Sequence, residues 1–249
     1  MLFRSYAAGF NAVRLNQRNC GGGEALTPSL YNSSLSCDSR AVVLELIEQD
    51  MLPEIFVCGW SMGGNLILKM VGEFGASPPP QLRAAAGVAP AVDLSASSDA
   101  ISEGQNFLYE WHFVRNLTRR TLRKAALFPE RYRVLGANGL WRVHTIRQFD
   151  DAVVAPVFGY RDAEDYYQQA SALNTMAQIS IPTLIIAARD DTFVPFRTFD
   201  HPAIRGNPNV TLLTAEHGGH CAFISRFKGE ERFWAEARIV EWCKQKSKS

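Results

Sequence analysis

The fold of this chain is decided by residues 54–68, which read Glu54-Ile55-Phe56-Val57-Cys58-Gly59-Trp60-Ser61-Met62-Gly63-Gly64-Asn65-Leu66-Ile67-Leu68. An apolar run typical of a strand leads into the pattern Gly59-x-Ser61-x-Gly63, and an apolar run typical of a helix follows at once. A turn this sharp leaves no room for side chains at its flanks, and it strains Ser61 so that the hydroxyl stands clear of the sheet. The N-terminus of the following helix favours negative charge beside that hydroxyl. We therefore predict that Ser61 is a nucleophile; the alternative is an ordinary strand–turn–helix with a solvated serine.

The composition limits the class of protein. The 249 residues suffice for one large α/β domain or two small ones, and 47% hydrophobic with 20% charged residues is typical of a globular protein. A net charge of +1 gives no sign of a nucleic-acid partner. No apolar stretch has the length of a membrane span, the first residues lack the core of a signal peptide, and five cysteines follow no ligand spacing. We expect reduced thiols in a cytoplasmic protein, without stable membrane insertion, metal or cofactor.

The apolar runs predict a parallel sheet. They are continuous rather than alternating, and helical patterns separate most of them, so both faces of the sheet should be buried. Asp38 is a plausible N-cap for the first of these helices. We expect strands over residues 10–16, 54–59, 82–89, 183–188 and 210–214, and helices over 38–49, 63–74 and 227–245.

Residues 95–180 interrupt this alternation and predict a helical lid inserted into a core made of residues 1–94 and 181–249. Its main element is a long helix over 103–127, with further helical pieces around 140–147 and 163–172. The long helix is basic, which would suit an anionic head group, but we favour a solvated helix face as its interpretation. The basic residues are Arg115, Arg119, Arg120, Arg123 and Lys124.

An acid for the nucleophile is expected after a late strand. A serine hydroxyl needs a base beside it, and the base needs a carboxylate that fixes its tautomer. The strand over 183–188 leads into Asp190 and Asp191, where the carboxyl end of a parallel strand opens onto a ligand crevice. We select Asp191 as the acid and keep Asp190 as its rival. Asp93 is a weaker alternative that better suits a capping role.

The base is expected after the next strand, because the chain order in such sites is serine, acid, histidine. Two glycines stand directly before His220 and allow a tight loop that swings an imidazole over the edge of the sheet. We select His220 as the base, with His217 as its rival. Three further histidines have no comparable setting and are expected to be structural or solvated. They are His112, His144 and His201.

An oxyanion that forms during attack on a carbonyl needs backbone donors that are already in place. The residue after the nucleophile supplies one of them, which here is the N–H of Met62. The second donor commonly comes from a loop marked by His-Gly after an earlier strand. No such motif precedes Ser61, and the glycines at 21–23 follow the wrong strand.

The elbow, Asp191 and the Gly218-Gly219-His220 loop together resemble the α/β-hydrolase superfamily, and further blocks resemble its YheT-like branch. The resemblance spans nearly the whole chain and implies a triad of Ser61, Asp191 and His220. It implies esterase chemistry on small-molecule carboxylic esters, with lipid and fatty-acyl esters prominent among relatives. Some relatives pass the acyl group to an alcohol, so an acyltransferase is the alternative. The blocks lie at residues 9–13, 18–22, 63–66, 147–151, 165–167 and 216–220.

The resemblance also implies a segment before the position that matches Gly9. In relatives this segment holds early strands and the His-Gly loop of the second oxyanion donor, and the third strand lies between the two that match residues 10–16 and 54–59. Early strands of the fold are therefore absent from this sequence, which we interpret as truncated or mis-started. Two alternatives to truncation remain. In one, the two flanking strands close the gap left by the third strand; in the other, the protein is a hydrolase-like fold with impaired catalysis.

Overall fold

The centre of the molecule is a sheet of four parallel strands in the order β1-β2-β3-β4. The computed structural model describes residues 1–135, 140–226 and 232–248. Each pair of neighbouring strands is parallel and in continuous register, apart from one irregularity between Ile55 and Phe56. The strands are β1, Ile55–Trp60; β2, Leu82–Val88; β3, Thr183–Ala188; and β4, Val210–Ala215.

Helices occupy most of the remaining described chain. The α-helices are α1, Leu2–Ala7; α2, Ser36–Glu48; α3, Met62–Phe74; α4, Leu94–Ile101; α5, Phe107–Leu127; α6, Pro129–Tyr132; α7, Ile146–Phe149; α8, Ala155–Phe158; α9, Ala163–Ala170; α10, Pro202–Arg205; and α11, Trp234–Lys246. A π-helix, Asp150–Val154, joins α7 to α8. Short 3-10 turns lie at Gly104–Asn106, Arg133–Leu135, Leu140–Arg142, Ala172–Asn174, Met176–Gln178 and Phe196–Asp200.

Both faces of the sheet are covered, which confirms the predicted architecture. Successive residues of a strand point to opposite faces. Ala85 of β2 therefore packs in one apolar cluster with Leu68 of α3, whereas Ala86 packs in the other with Ile239 of α11. Full burial of a Leu or Ile side chain contributes about 1.5–3 kcal/mol, so these two layers hold the helices against the sheet.

The predicted strand over residues 10–16 is wrong. This segment has no regular secondary structure and does not pair with β1, which forms the edge of the sheet in the described part of the chain. Its contact with β1 is an edge-to-face pair of the Phe10 and Phe56 rings, 5.5 Å apart. The two flanking segments therefore do not close the gap that the resemblance implied. A strand exists only where a neighbour supplies backbone partners, and no described segment does so here.

Several helix starts differ from their predicted positions. Asp38 does not cap α2, which begins at Ser36; its carboxylate instead binds Arg18 through two hydrogen bonds of 2.6 Å. The long basic helix begins at Phe107, after a 3-10 turn over Gly104–Asn106. The last helix, α11, begins at Trp234, and residues 227–231 of the prediction lie outside the described residues.

The helices between β2 and β3 share the apolar core of the sheet, so the insertion is packed against it. Its long helix α5 is not simply a solvated basic face, because Lys124 is only 1% exposed. The ammonium of Lys124 donates hydrogen bonds to the backbone carbonyls of Glu24 and Thr27. Burial lowers the pKa of Lys124 below its ordinary value. The interpretation of a solvated face is therefore wrong for Lys124.

Asn65 of α3 ties three distant segments together. Its side chain is completely buried. The amide nitrogen donates to the carbonyls of Ser33, at 3.2 Å, and Ala170, at 2.9 Å, and the amide oxygen accepts from the N–H of Ala172 at 2.7 Å. Helix α3 is thereby fixed to the loop before α2, to the end of α9 and to the chain that follows α9.

We predict that Asn65→Ala destabilises the fold strongly. The change leaves two carbonyls and one N–H buried without partners, and a buried group left unpaired costs about 1–3 kcal/mol. We expect the free energy of unfolding, measured by urea titration, to fall by roughly 3 kcal/mol. Asn174→Ala is the matched control, because its side chain makes a single exposed bond to the Gln168 carbonyl. Equal stability of the two variants would contradict the prediction.

Candidate active site

The turn between β1 and α3 has the geometry of a nucleophile elbow. Ser61 has φ 52° and ψ −122°, a backbone conformation that residues other than glycine rarely adopt. A Cβ at Gly59 would lie 2.2 Å from the carbonyl oxygen of Gly63, so the strand and the helix can approach only with glycine there. A Cβ at Gly63 would meet nothing within 4 Å, whereas one at Gly64 would lie 2.8 Å from Pro90. The steric requirement thus falls on Gly59 and Gly64, not on Gly63.

The structure brings Ser61, His220 and Asp191 into one line of hydrogen bonds. The Nε2 atom of His220 lies 2.8 Å from the Ser61 hydroxyl oxygen, and its Nδ1 lies 2.9 Å from Oδ2 of Asp191. The Asp191 side chain is 2% exposed and that of His220 is 18% exposed. The serine follows β1, the aspartate follows β3 and the histidine follows β4, so the three meet at the carboxyl edge of the sheet.

Asp191 and Asp190 have separate roles in this geometry. The Oδ1 atom of Asp191 accepts hydrogen bonds from the N–H groups of Phe193 and Val194, which leaves Oδ2 aimed at His220. Asp190 points the other way and accepts from the N–H groups of the two glycines before His220, at 2.9 and 2.8 Å. Asp190 therefore shapes the loop that carries the histidine, while Asp191 contacts the histidine itself.

His220 is partly buried beside an aromatic wall. The Phe193 ring packs against the imidazole, with centroids 4.9 Å apart, and Phe113 of α5 packs against Phe193. Burial lowers the pKa of His220, but the hydrogen bond to Asp191 and the neighbouring Cys221 thiol raise it by more. The net result is a pKa of about 9, above the ordinary 6.5. His217, the rival base, is 91% exposed and pairs with Asp190.

The other acid and histidines that were considered from the sequence take no part in the line of hydrogen bonds through His220. Asp93 caps α4, because its Oδ1 accepts from the N–H of Ala96 at 3.0 Å. His201 caps α10 through Nδ1, and His144 is exposed. His112, which the sequence assigned to a structural or solvated role, lines the cavity beside Ser61 and contacts Asn116 at 2.8 Å.

Ser61 opens onto a cavity of about 730 Å³. Met62 lines it beside the serine and is the first residue of α3, so its N–H has no partner within the helix. That N–H is free to donate to an oxygen held next to the Ser61 hydroxyl.

The inserted helices form much of the cavity wall. Leu94 and Ile101 of α4, Phe113 and Leu117 of α5, and Ile146 of α7 make it largely apolar. Three arginines of α5 line it as well. They are Arg119, Arg120 and Arg123, of which Arg123 is paired with Glu24 at 2.8 Å.

Sequence reasoning missed a polar group in this wall. Asp150, Tyr167 and Ser98 all line the cavity, and the Tyr167 hydroxyl lies within hydrogen-bond distance of the other two side chains. The signal was present, because Asp150 and Tyr167 belong to blocks that carried the family resemblance. Nothing in the residue types indicated that they face the same cavity as Ser61.

Neither a metal cluster nor a membrane-crossing helix is found in residues 1–135, 140–226 and 232–248. No three His, Cys, Asp or Glu side chains there are grouped so that they could hold a metal ion. None of those helices combines the length and the apolar composition that a crossing requires.

Comparisons with known proteins show which family this chain is similar to. The family model described as alpha/beta hydrolase fold matches residues 2–227. The putative esterase YheT of Escherichia coli strain K12 is 31% identical over 234 residues, which are 94% of this chain and 68% of that protein. Phospholipase ABHD3 of Mus musculus is 30% identical over 225 residues, 90% of this chain and 54% of that protein. The chain thus spans between about half and two thirds of the length of these relatives.

Solved structures show the same fold. A serine hydrolase from Cycloclasticus zankles superposes with a TM-score of 0.55 and covers 94% of this chain and 79% of that one. The two sequences are 15% identical, so the likeness concerns the fold alone.

We predict that Asp191→Asn lowers the pKa of His220. An imidazole is neutral above its pKa, and the Asp191 carboxylate favours the protonated ring, so the removal of that charge shifts deprotonation to lower pH. In an NMR titration we expect the value to fall from about 9 toward or below the ordinary 6.5, since burial then dominates. Asp200→Asn, at an exposed carboxylate paired with Arg205, removes the same charge elsewhere and should leave the titration unchanged. An unaltered His220 titration in Asp191→Asn would refute the pairing.

Proposed function

The chain belongs to the α/β-hydrolase family, in the branch that includes the E. coli YheT protein, and on this premise we propose that it is a serine hydrolase of carboxylic esters. We propose Ser61 as its nucleophile, His220 as its base and Asp191 as the acid that orients the base. The two relatives named above are an esterase and a phospholipase by name, which supports acyl esters of lipids as the substrate class.

One observation carries the proposal. The Ser61 hydroxyl stands 2.8 Å from a histidine nitrogen, on a strained turn, and faces a largely apolar cavity that an acyl chain could occupy. A hydroxyl that needed only solvation would not require a buried carboxylate behind the histidine. The hydrogen-bond line therefore supports activation of the hydroxyl for attack on a carbonyl carbon.

In the first half of the proposed reaction, Ser61 attacks the ester carbonyl while Nε2 of His220 takes the hydroxyl proton. The Asp191 carboxylate stabilises the imidazolium that forms and keeps Nδ1 protonated. The developing oxyanion accepts a hydrogen bond from the Met62 N–H, at the positive end of α3. His220 then gives its proton to the leaving alcohol, and the acyl group remains on Ser61.

In the second half, a water molecule enters in place of the alcohol. His220 removes a proton from the water, which attacks the acyl carbonyl, and the proton then returns to Ser61 as the carboxylic acid leaves. The Met62 N–H holds the oxyanion again. The protons that move in this step pass only between water, His220 and Ser61.

We further propose that residues 95–180 act as a lid over this site. Helices α4, α5 and α7 supply cavity wall on the side away from the sheet, which supports this role. We also assign the protein to the cytoplasm, because all five cysteines are free thiols and such thiols persist in a reducing compartment.

We predict that Ser61→Ala abolishes ester hydrolysis and covalent labelling by a fluorophosphonate probe. The variant lacks the oxygen that forms the acyl-enzyme, and loss of the nucleophile in such a site costs on the order of 10⁴- to 10⁶-fold in kcat. The measurements are hydrolysis of p-nitrophenyl butyrate and gel fluorescence after labelling.

Ser180→Ala is the matched control, because Ser180 is exposed and donates its hydroxyl hydrogen bond to Gly75. It should keep both activity and labelling. Equal labelling of wild type and Ser61→Ala would refute the proposed nucleophile.

A further inference from the structure

A buried carboxylate faces the same cavity as Ser61 and takes no part in the proposed reaction. Asp150 is 8% exposed and begins the π-helix Asp150–Val154. The Tyr167 hydroxyl donates to Asp150 Oδ2 at 2.7 Å and lies 3.1 Å from the Ser98 hydroxyl. A tyrosine hydroxyl has one proton, so Ser98 donates to Tyr167 when Tyr167 donates to Asp150.

The second carboxylate oxygen has no protein partner. Oδ2 of Asp150 is engaged by Tyr167, but Oδ1 bonds to no group in the described residues. Oδ1 is not fully enclosed by protein, and Asp150 lines the cavity beside Ser61. Oδ1 is thus an acceptor in an otherwise largely apolar wall.

The surrounding structure holds this oxygen in place. Tyr167 is 3% exposed, and the Arg147 guanidinium lies over its ring at 5.0 Å from the centroid. Arg147 is itself fixed by Glu164 at 2.9 Å and Asp99 at 2.8 Å. A π-helix, which is rare and frequent at functional sites, sets the position of Asp150. The acceptor therefore belongs to a connected network of side chains that fixes its orientation.

Filling the cavity changes the solvation of this oxygen. Water can reach Oδ1 while the cavity is open, but an acyl ester that occupies the cavity expels that water. A buried acceptor left without a donor is penalised, so a ligand that brings its own donor to this position binds better than one that does not.

We propose that Asp150, oriented by Tyr167, is a specificity residue that binds a free hydroxyl group of the substrate. The substrate class is then an acyl ester of a polyol that keeps at least one unesterified hydroxyl. This inference rests on the proposed ester hydrolysis at Ser61 and names the part of the substrate that the apolar wall cannot recognise.

The charges around the cavity favour a neutral hydroxyl over an ion. A cationic group would meet Arg147 behind Tyr167 and the arginines of α5, while an anionic group would meet Asp150 itself. Burial raises the pKa of Asp150 to about 7, although the Tyr167 hydrogen bond opposes the change. A hydroxyl can donate to the ionised carboxylate or accept from the protonated one, so it suits both forms.

The test compares two esters that differ only in hydroxyl donors. One is 1-decanoylglycerol and the other is the same ester with both glycerol hydroxyls O-methylated. For the wild-type protein, assayed at a pH above the Asp150 pKa of about 7 so that the carboxylate is ionised, we expect kcat/KM to favour the free-hydroxyl ester by about 10- to 100-fold, because a site built for a hydroxyl rejects an analogue without one. Each ester is also tested as a competitive inhibitor of p-nitrophenyl butyrate hydrolysis. The two inhibition constants then give the binding preference even if the protein hydrolyses one of the esters slowly.

The variant Asp150→Leu should reduce this preference to within about threefold of unity, since its side chain has a similar volume and no acceptor. Labelling of Ser61 by the fluorophosphonate probe should persist. Asp150→Asn should also weaken the preference, because the Tyr167 hydroxyl donates to the amide oxygen and the amide NH2, a donor, then takes the position of Oδ1. Asp200→Leu, at an exposed site, is the matched control and should behave as wild type.

A wild-type ratio near unity would overturn the inference even if Asp150→Leu fails to fold, and so would an unchanged ratio in a folded Asp150→Leu. Failure of the proposed function looks different: neither ester is hydrolysed and Ser61 takes no probe in the wild type.

Discussion

The site depends on the close approach of β1 and α3, which is possible only because Gly59 lacks a side chain. A Cβ there would lie 2.2 Å from the Gly63 carbonyl oxygen, a distance that forces the helix away from the strand. That displacement would relax the strained backbone of Ser61 and move the Met62 N–H with it. The position of the Ser61 hydroxyl, of the neighbouring Met62 N–H and of the contact with His220 thus depends on the absence of a side chain at Gly59. Strain of this kind persists only where the surrounding structure holds it, and here Asn65 and the Ser61 N–H bond to Val88 do so.

Two adjacent acids, Asp190 and Asp191, make different contacts around His220. The backbone turns after β3, so Asp191 faces inward to the imidazole and Asp190 faces outward to the glycine loop. One side chain sets the electrostatics of the histidine and the other sets its position. The side chain of Asp191, which faces inward, is 2% exposed, whereas that of Asp190, which faces outward, is 41% exposed.

Much of the fold could be predicted because its signals are local. The strand Thr183–Ala188 was predicted residue for residue, and the turn at Ser61 is encoded in a few adjacent residues. The segment over 10–16 also contains several apolar residues, but a strand needs a partner as well, which its own residues do not reveal. The burial of Lys124 escaped prediction for the same reason, since the carbonyls that receive its ammonium come from a loop about a hundred residues earlier. Asp150 was visible as part of a motif, but its position in the cavity wall is a property of the packed structure.

The buried Lys124 has a consequence for chemical footprinting. Its ammonium is enclosed by the loop that runs from Glu24 toward Tyr31 and Asn32, two residues of the cavity wall. Reagents that acylate amines act on the deprotonated form from solution, so they should modify exposed lysines at once and Lys124 only when that loop lifts. The rate at which Lys124 becomes modified therefore reports how often this side of the cavity opens. Mass spectrometry measures that rate, and the measurement needs no substrate.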